Sequence, residues 1–131
     1  MIDAHHVIRI ARPSRDLAAA ERFYAQGLGL SVLFRKAERT ELGGYDLLMI
    51  GPDGGQWHLE LTRGADGIGP SPTAEDLLVV YLAGADPAEL VDRAVAHGGT
   101  LVPAHNPYWD EGGVTIADPD GYRVVLTQRS W

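Results

Sequence analysis

The sequence predicts an α+β fold in which two βαβββ modules form a curved mixed sheet, a cup, with helices on its outer face. Three observations lead there. The chain writes nearly the same phrase twice, "IGPDGGQWHLELT" in its middle and "IADPDGYRVVLT" near its end, each a Pro-Asp-Gly turn followed by a short alternating run. Between them lies "RGADGIGPSPTAE", Arg63 to Glu75, rich in Gly, Pro, Ser and Asp and without either apolar period. On both sides of that stretch the order of signals is strand, helix, three strands. One domain over residues 1–131 follows, with module one at about 5–63, a connector at about 64–75 and module two at about 76–129.

Module one opens with the strand "HVIRIA". Pro13, Ser14 and Asp16 supply a helix start, Leu17, Ala20, Tyr24 and Leu28 recur at helical spacing, and Gly27 and Gly29 end the run. "LSVLFRKA", "YDLLMIG" and "QWHLELT" read as strands, joined by "LGGYD" and "PDGG". Module two repeats the plan. "LLVVYLA" is a strand, and "DPAE" combines an N-cap Asp, an early Pro and a Glu at the third position. Leu90, Val91, Ala94 and Val95 form the apolar stripe, and Gly98-Gly99 stop the helix. "TLVPA", "GGVTIA" and "YRVVLTQ" complete the module.

Side chains alternate across a strand, so parity assigns the faces. Ile8, Ile10, Leu59, Leu61, Leu78, Val80, Leu82, Val124 and Leu126 share one parity and are expected beneath the helices. Arg9, Ala11, His58, Glu60, Thr62, Val79, Tyr81, Arg123, Val125 and Thr127 share the other. Charge, hydroxyl and aliphatic groups mixed on one face point to a cup for a small polar molecule. The simpler reading is a solvated sheet face.

Composition narrows the function classes. With no cysteine, thiol catalysis, disulfides and Cys-based zinc sites are excluded. A formal net charge of −7 argues against nucleic acid as a partner, because phosphate backbones are bound by Lys and Arg. No apolar run approaches the ~20 residues that span a bilayer, and "MIDAHHVIRIARP" lacks the pattern of a signal peptide. The expectation is a cytoplasmic protein without membrane contact.

The paired modules, with "RIARPSRDL", "FYAQGLGL", "GGYD", "WHLELT", "NPYW" and "DPDGYR", resemble the vicinal oxygen chelate superfamily. That superfamily holds glyoxalase I, extradiol dioxygenases, and fosfomycin- and bleomycin-resistance proteins, and the likeness is to a bacterial glyoxalase-like branch. Its metal-dependent members take His and Glu ligands from the first and last strands of both modules. Carried onto this chain, those positions hold Arg9, Glu60, one of Leu77, Val79 or Tyr81, and Val125. One ligand of four remains, so the resemblance implies a degenerate site without a metal or other cofactor. It also implies a homodimer, and the apolar Trp109 and Trp131 need cover.

The candidate ligand-binding residues are Arg9, His58, Glu60, Tyr81, Tyr108, Trp109 and Arg123. Glu60 is expected to pair across the cup with Arg9 or Arg123, since an unpaired buried charge costs several kcal/mol. His58, two residues earlier on the same face, is a candidate base or hydrogen-bonding group. With His5 or His6 it would make an atypical metal set. Arg9 suits a carboxylate or phosphate. Tyr108 and Trp109 would stack on a planar ligand or pack against the sheet. Arg123 serves the ligand or a strand edge; His97 and His105 read as solvated. The leading expectation is a protein that binds a small organic molecule. The alternatives are a metal-dependent lyase or dioxygenase built on Glu60, and a structural module with a vestigial cup.

Overall fold

Asp16 starts the first helix as its position suggests, its Oδ1 accepting from the Ala19 N–H at 3.0 Å. The computed structural model describes residues 1–131. Strand β1 (Ile8–Pro13) leads into helix α1 (Leu17–Glu21), which continues as a π-helical stretch, Arg22–Gly27. The wider winding shows in the Leu28 N–H, which reaches back five residues to the Phe23 carbonyl at 2.9 Å. Strands β2 (Ser31–Ala37), β3 (Tyr45–Gly51) and β4 (Trp57–Gly64) follow. Residues 65–76 connect to β5 (Leu77–Tyr81) without a helix.

In module two Asp86 Oδ1 accepts from the Ala88 N–H at 3.0 Å, and helix α2 runs over Ala88–Ala96, one residue later than the Pro suggested. A short β6 (Thr100–Val102), a 3-10 turn (Pro107–Asp110), β7 (Gly113–Ala117) and β8 (Arg123–Thr127) complete the chain. No helix is long and apolar enough to cross a membrane.

The strands form two four-stranded mixed sheets, β1-β4-β3-β2 and β5-β8-β7-β6, each with one parallel pair, β1 with β4 and β5 with β8. The two-module α+β plan is therefore present, with the sheet divided in two: no ladder joins the edge strands β1 and β5. What joins the modules is a shared core. Ala20, Phe23 and Tyr24 from the first helical segment, Ala94 from α2, and Leu59, Leu61, Ile116, Val124 and Leu126 from both sheets make one buried cluster. The helical segments meet closely: a Cβ at Gly27 would lie 3.2 Å from the Ala94 Cα. A Cβ at Gly99 would lie 2.8 Å from both Phe23 and Ile116, so glycine is required for this packing.

The parity rule held for β4 and β5 and failed at β1 and β8. Ile8 and Ile10 are 53% and 41% exposed. Their alternation is that of a helix-covered strand, but α1 packs over β3 and β4 and leaves the edge strand bare. On β8 the opposite departure occurs. Val125 and Thr127, expected on an open face, are buried, as is Thr115 beside them on β7. The 3-10 turn packs against β7 there, with the Trp109 carbonyl only 2.5 Å from where a Gly113 Cβ would stand.

The second Pro-Asp-Gly turn also ties the modules together. Asp118 accepts from the Asp120 N–H (2.8 Å), the Tyr122 N–H (2.9 Å) and the Tyr24 hydroxyl (2.6 Å). Asp120 accepts from the Ser14 hydroxyl (2.5 Å) and the Arg15 N–H (2.9 Å) at the entrance to α1. Burial pushes the Asp118 carboxyl above its ordinary range despite those donors, and burial with the adjacent Asp118 pushes the Tyr24 hydroxyl well above its own. The first copy of the turn makes no such connection; Asp53 and Gly54 are exposed.

Candidate functional site

Parallel pairing of β1 with β4 sets Arg9 opposite His58 and Ala11 opposite Glu60. All four share one face. From that register the Arg9 guanidinium reaches three partners: Nε donates to His58 Nε2 at 3.0 Å, one terminal nitrogen to Glu60 Oε2 at 3.1 Å, and the other to Met49 Sδ at 3.6 Å. Met49 is brought there by β3, whose register places it opposite Glu60. Because His58 accepts through Nε2, this arrangement requires the neutral imidazole carrying its proton on Nδ1. The Arg9 side chain is 49% exposed and that of Glu60 17%, so the carboxylate lies deeper and the cation faces outward.

Gly51 makes room for the cluster. A Cβ there would come 2.8 Å from the His58 Cβ and 2.9 Å from the Trp57 carbonyl oxygen. Beside Glu60 a cavity of about 360 Å³ opens over the sheet, walled by Lys36, Tyr45, Leu47, Glu60 and Thr62. Lys36 is paired with Glu38 at 2.8 Å.

The other sequence-derived candidates lie apart from this cluster. Arg123 donates to the Pro103 carbonyl at 3.1 Å and ties β8 to the loop after β6, the strand-edge role. Tyr108 and Trp109 pack edge to face, ring centroids 4.9 Å apart, and Arg129 lies 4.0 Å over the Tyr108 ring while pairing with Glu111 at 3.2 Å. Tyr81 sits 6.0 Å from the Trp131 ring. Sequence reasoning passed over Met49, Gly51 and Arg129. The register of β3 against β4 was the missing information for the first two. For Arg129 the only sequence signal was a cation just beyond an alternating strand.

The donor set does not fit a divalent metal. The four positions that the family resemblance assigns to metal ligands offer one carboxylate, an arginine, a strand of Leu, Val and Tyr, and a buried valine. A fixed cation 3.1 Å from the only carboxylate opposes a second cation at that point. No three His, Asp or Glu side chains converge anywhere in the chain, and His6 is turned to Asp3 at 3.0 Å.

Residues 8–62 match the model of the YycE-like N-terminal domain and residues 75–128 that of the YycE-like C-terminal domain. Protein YycE of Bacillus subtilis (strain 168) is 42% identical over 121 residues, covering 91% of this chain and 85% of its own. The chain belongs to the YycE-like family. The crystal structure of Bacillus subtilis YycE superposes with a TM-score of 0.84 at 37% identity, over 98% of this chain and 92% of that one. Beyond YycE-like proteins the likeness is one of fold. Leishmania major glyoxalase I matches with a TM-score of 0.67 at 23% identity, over 91% of this chain and 83% of that chain. TnmS3, an antibiotic binding protein from Streptomyces sp. CB03234, matches with a TM-score of 0.66 at 23% identity, over 99% and 100%. The YycE-like fold is thus the vicinal oxygen chelate fold of glyoxalases and bleomycin-resistance proteins.

Proposed function

We propose that this YycE-like protein is a cytoplasmic binding protein that holds a small polar organic molecule on the open face of the first sheet. The observation that carries this reading is the Arg9–His58–Glu60 cluster, in which Arg9 and Glu60 hold two of the positions the family resemblance assigns to metal ligands and Glu60 lines a cavity of about 360 Å³. That volume falls in the range of small-molecule sites. Arg9 keeps unengaged N–H groups toward solvent and acts as the donor for a ligand oxygen; Glu60 holds it in place. His58 in its Nδ1-protonated form adds a second donor. Thr62 supplies a hydroxyl at the cavity wall. The antibiotic-binding protein of the same fold supports sequestration of an organic compound.

Tyr81, Tyr108 and Trp109 belong to a separate aromatic group on the second sheet. In this proposal they meet the ligand only if a second copy brings its second sheet against the first. The exposed Val7, Ile8 and Ile10 on the bare β1 edge support such a homodimer, since an unpaired apolar edge favours association.

The experiment is a thermal-shift screen of planar organic acids and glycopeptide antibiotics against the wild type, Arg9→Gln and Glu60→Gln. A ligand at 100 times its Kd stabilises the protein by about 2.7 kcal/mol. The expected result is a shift seen with wild type and lost in both variants. A ligand whose shift survives both substitutions would place binding elsewhere and refute the reading.

A further inference from the structure

On the opposite side of β1 from Arg9 lies Arg12, and the proposed site has no use for it. Its guanidinium stacks 4.7 Å from the centroid of the Tyr122 ring, yet it forms no hydrogen bond or ion pair with the rest of the chain. One of its terminal nitrogens, Nη1, is buried without an acceptor. A buried guanidinium N–H lacking a partner is costly, because a charged donor loses water and gains nothing. Arg12 stands in the wall of a cleft of about 600 Å³ between the unladdered edge of β1, the connector from Gly69 to Asp76 with Leu77 at the start of β5, and Tyr122. The cleft also carries the Ser71 hydroxyl and two carboxylates, Glu75 and Asp76.

Those charges are complementary rather than cancelling. Asp76 is held ionised, its carboxyl lowered by the Thr73 N–H and hydroxyl and by the nearby Arg12 charge. It is committed through Oδ2 to Thr73 at 2.6 and 2.8 Å, and makes no ion pair with Arg12. Glu75 lies 3.5 Å from the exposed His105. The cleft thus gathers one cation without a protein partner and two anions around a space of small-molecule size. A simple anion would meet the two carboxylates, and a simple cation would meet Arg12. A molecule with both charges satisfies each wall.

We infer that this cleft is a second binding site, for a small zwitterion with a carboxylate and an ammonium group, as in a free α-amino acid. The carboxylate accepts from the part of the Arg12 guanidinium that lines the cleft, a charge-assisted hydrogen bond. Ser71 supplies a further donor. The ammonium group faces Glu75 and Asp76, and the Tyr122 ring, which already positions Arg12, forms part of the floor.

The test is calorimetric titration of the full chain with the twenty free L-amino acids, followed by the best binder as its C-terminal amide and as its N-acetyl derivative. Each derivative removes one charge. At least a tenfold loss of affinity is expected for both, and a similar loss for the free amino acid with Arg12→Gln. Arg63→Gln, which removes an exposed cation outside the cleft, leaves binding unchanged. Should Arg12→Gln fail to fold, the two derivatives and Glu75→Gln, a substitution on the exposed connector, decide the matter with the same expected direction. No binding at about 10 mM by any of the twenty, equal binding of either derivative, or a folded Arg12→Gln that binds as wild type overturns the inference. Its failure leaves the Arg9 site untouched, because the two are read out with different ligands and different variants.

Discussion

Replacing Tyr24 by Phe isolates the hydrogen bond that ties the two modules together. The ring stays, with its edge-to-face contact to Phe23 at 4.8 Å, and only the hydroxyl 2.6 Å from Asp118 Oδ2 is lost. Both residues are buried, Tyr24 fully and Asp118 to 5% exposure, so water does not replace the donor. A hydrogen bond to a charged group contributes about 1.5–3 kcal/mol, and about 2 kcal/mol is the expected loss at pH 7. With an unfolding entropy near 2.1 cal/mol/K per residue, a chain of this length shows that loss as a fall in Tm of about 7 °C. The loss should shrink on acidification. Burial raises the folded Asp118 carboxyl above its unfolded range, so its contribution favours folding below the unfolded value and fades as pH rises through the folded one. Tyr24 opposes that rise by stabilising the carboxylate. Without it, the variant is penalised most where Asp118 is ionised and least where it is protonated. Urea unfolding of both proteins from pH 4 to pH 8 measures this. A difference below about 0.5 kcal/mol at pH 7, or one that does not change with pH, would refute the account.

Glu60→Gln should leave the bound metal of purified protein near zero by elemental analysis, as in the wild type. It should change stability by no more than about 1 kcal/mol, because its partner Arg9 is half exposed. About one metal per chain, lost on substitution, would restore the enzyme reading. Gly51→Ala should cost about 1–3 kcal/mol through overpacking, since the new methyl meets β4 at 2.8–2.9 Å. It should also weaken ligands of the Arg9 cluster by displacing His58, measurable by titration of any ligand the screen finds. Sedimentation equilibrium at micromolar concentration should give twice the chain mass, falling to the monomer with Ile10→Asp on the bare β1 edge. A wild-type monomer at that concentration would remove the dimer from the proposal.

Local chemistry was enough to read the repeated strand–helix–three-strand order and both helix starts. Each rests on neighbours in the chain: Asp16 caps α1, Asp86 accepts from the first N–H of α2, and parity alone puts Arg9, His58 and Glu60 on one side of their strands. The ion pair itself was foreseeable, because a carboxylate and a guanidinium sharing a half-closed face lower their energy by meeting. What periodicity could not decide was who sits next to whom. Ile8 and Ile10 alternate as core residues do, yet they are exposed because α1 packs over β3 and β4 rather than over the edge strand. Val125 and Thr127 occupy the parity of an open cup, yet they are buried in the second sheet, where a 3-10 turn from earlier in the chain packs on the neighbouring β7. The Asp118–Tyr24 and Asp120–Ser14 bonds span 94 and 106 residues, and the Arg12 cleft exists only where β1, the connector and Tyr122 come together. Alternation specifies which way a side chain points. What covers it is set by strand order and by the docking of remote segments, which no local pattern encodes.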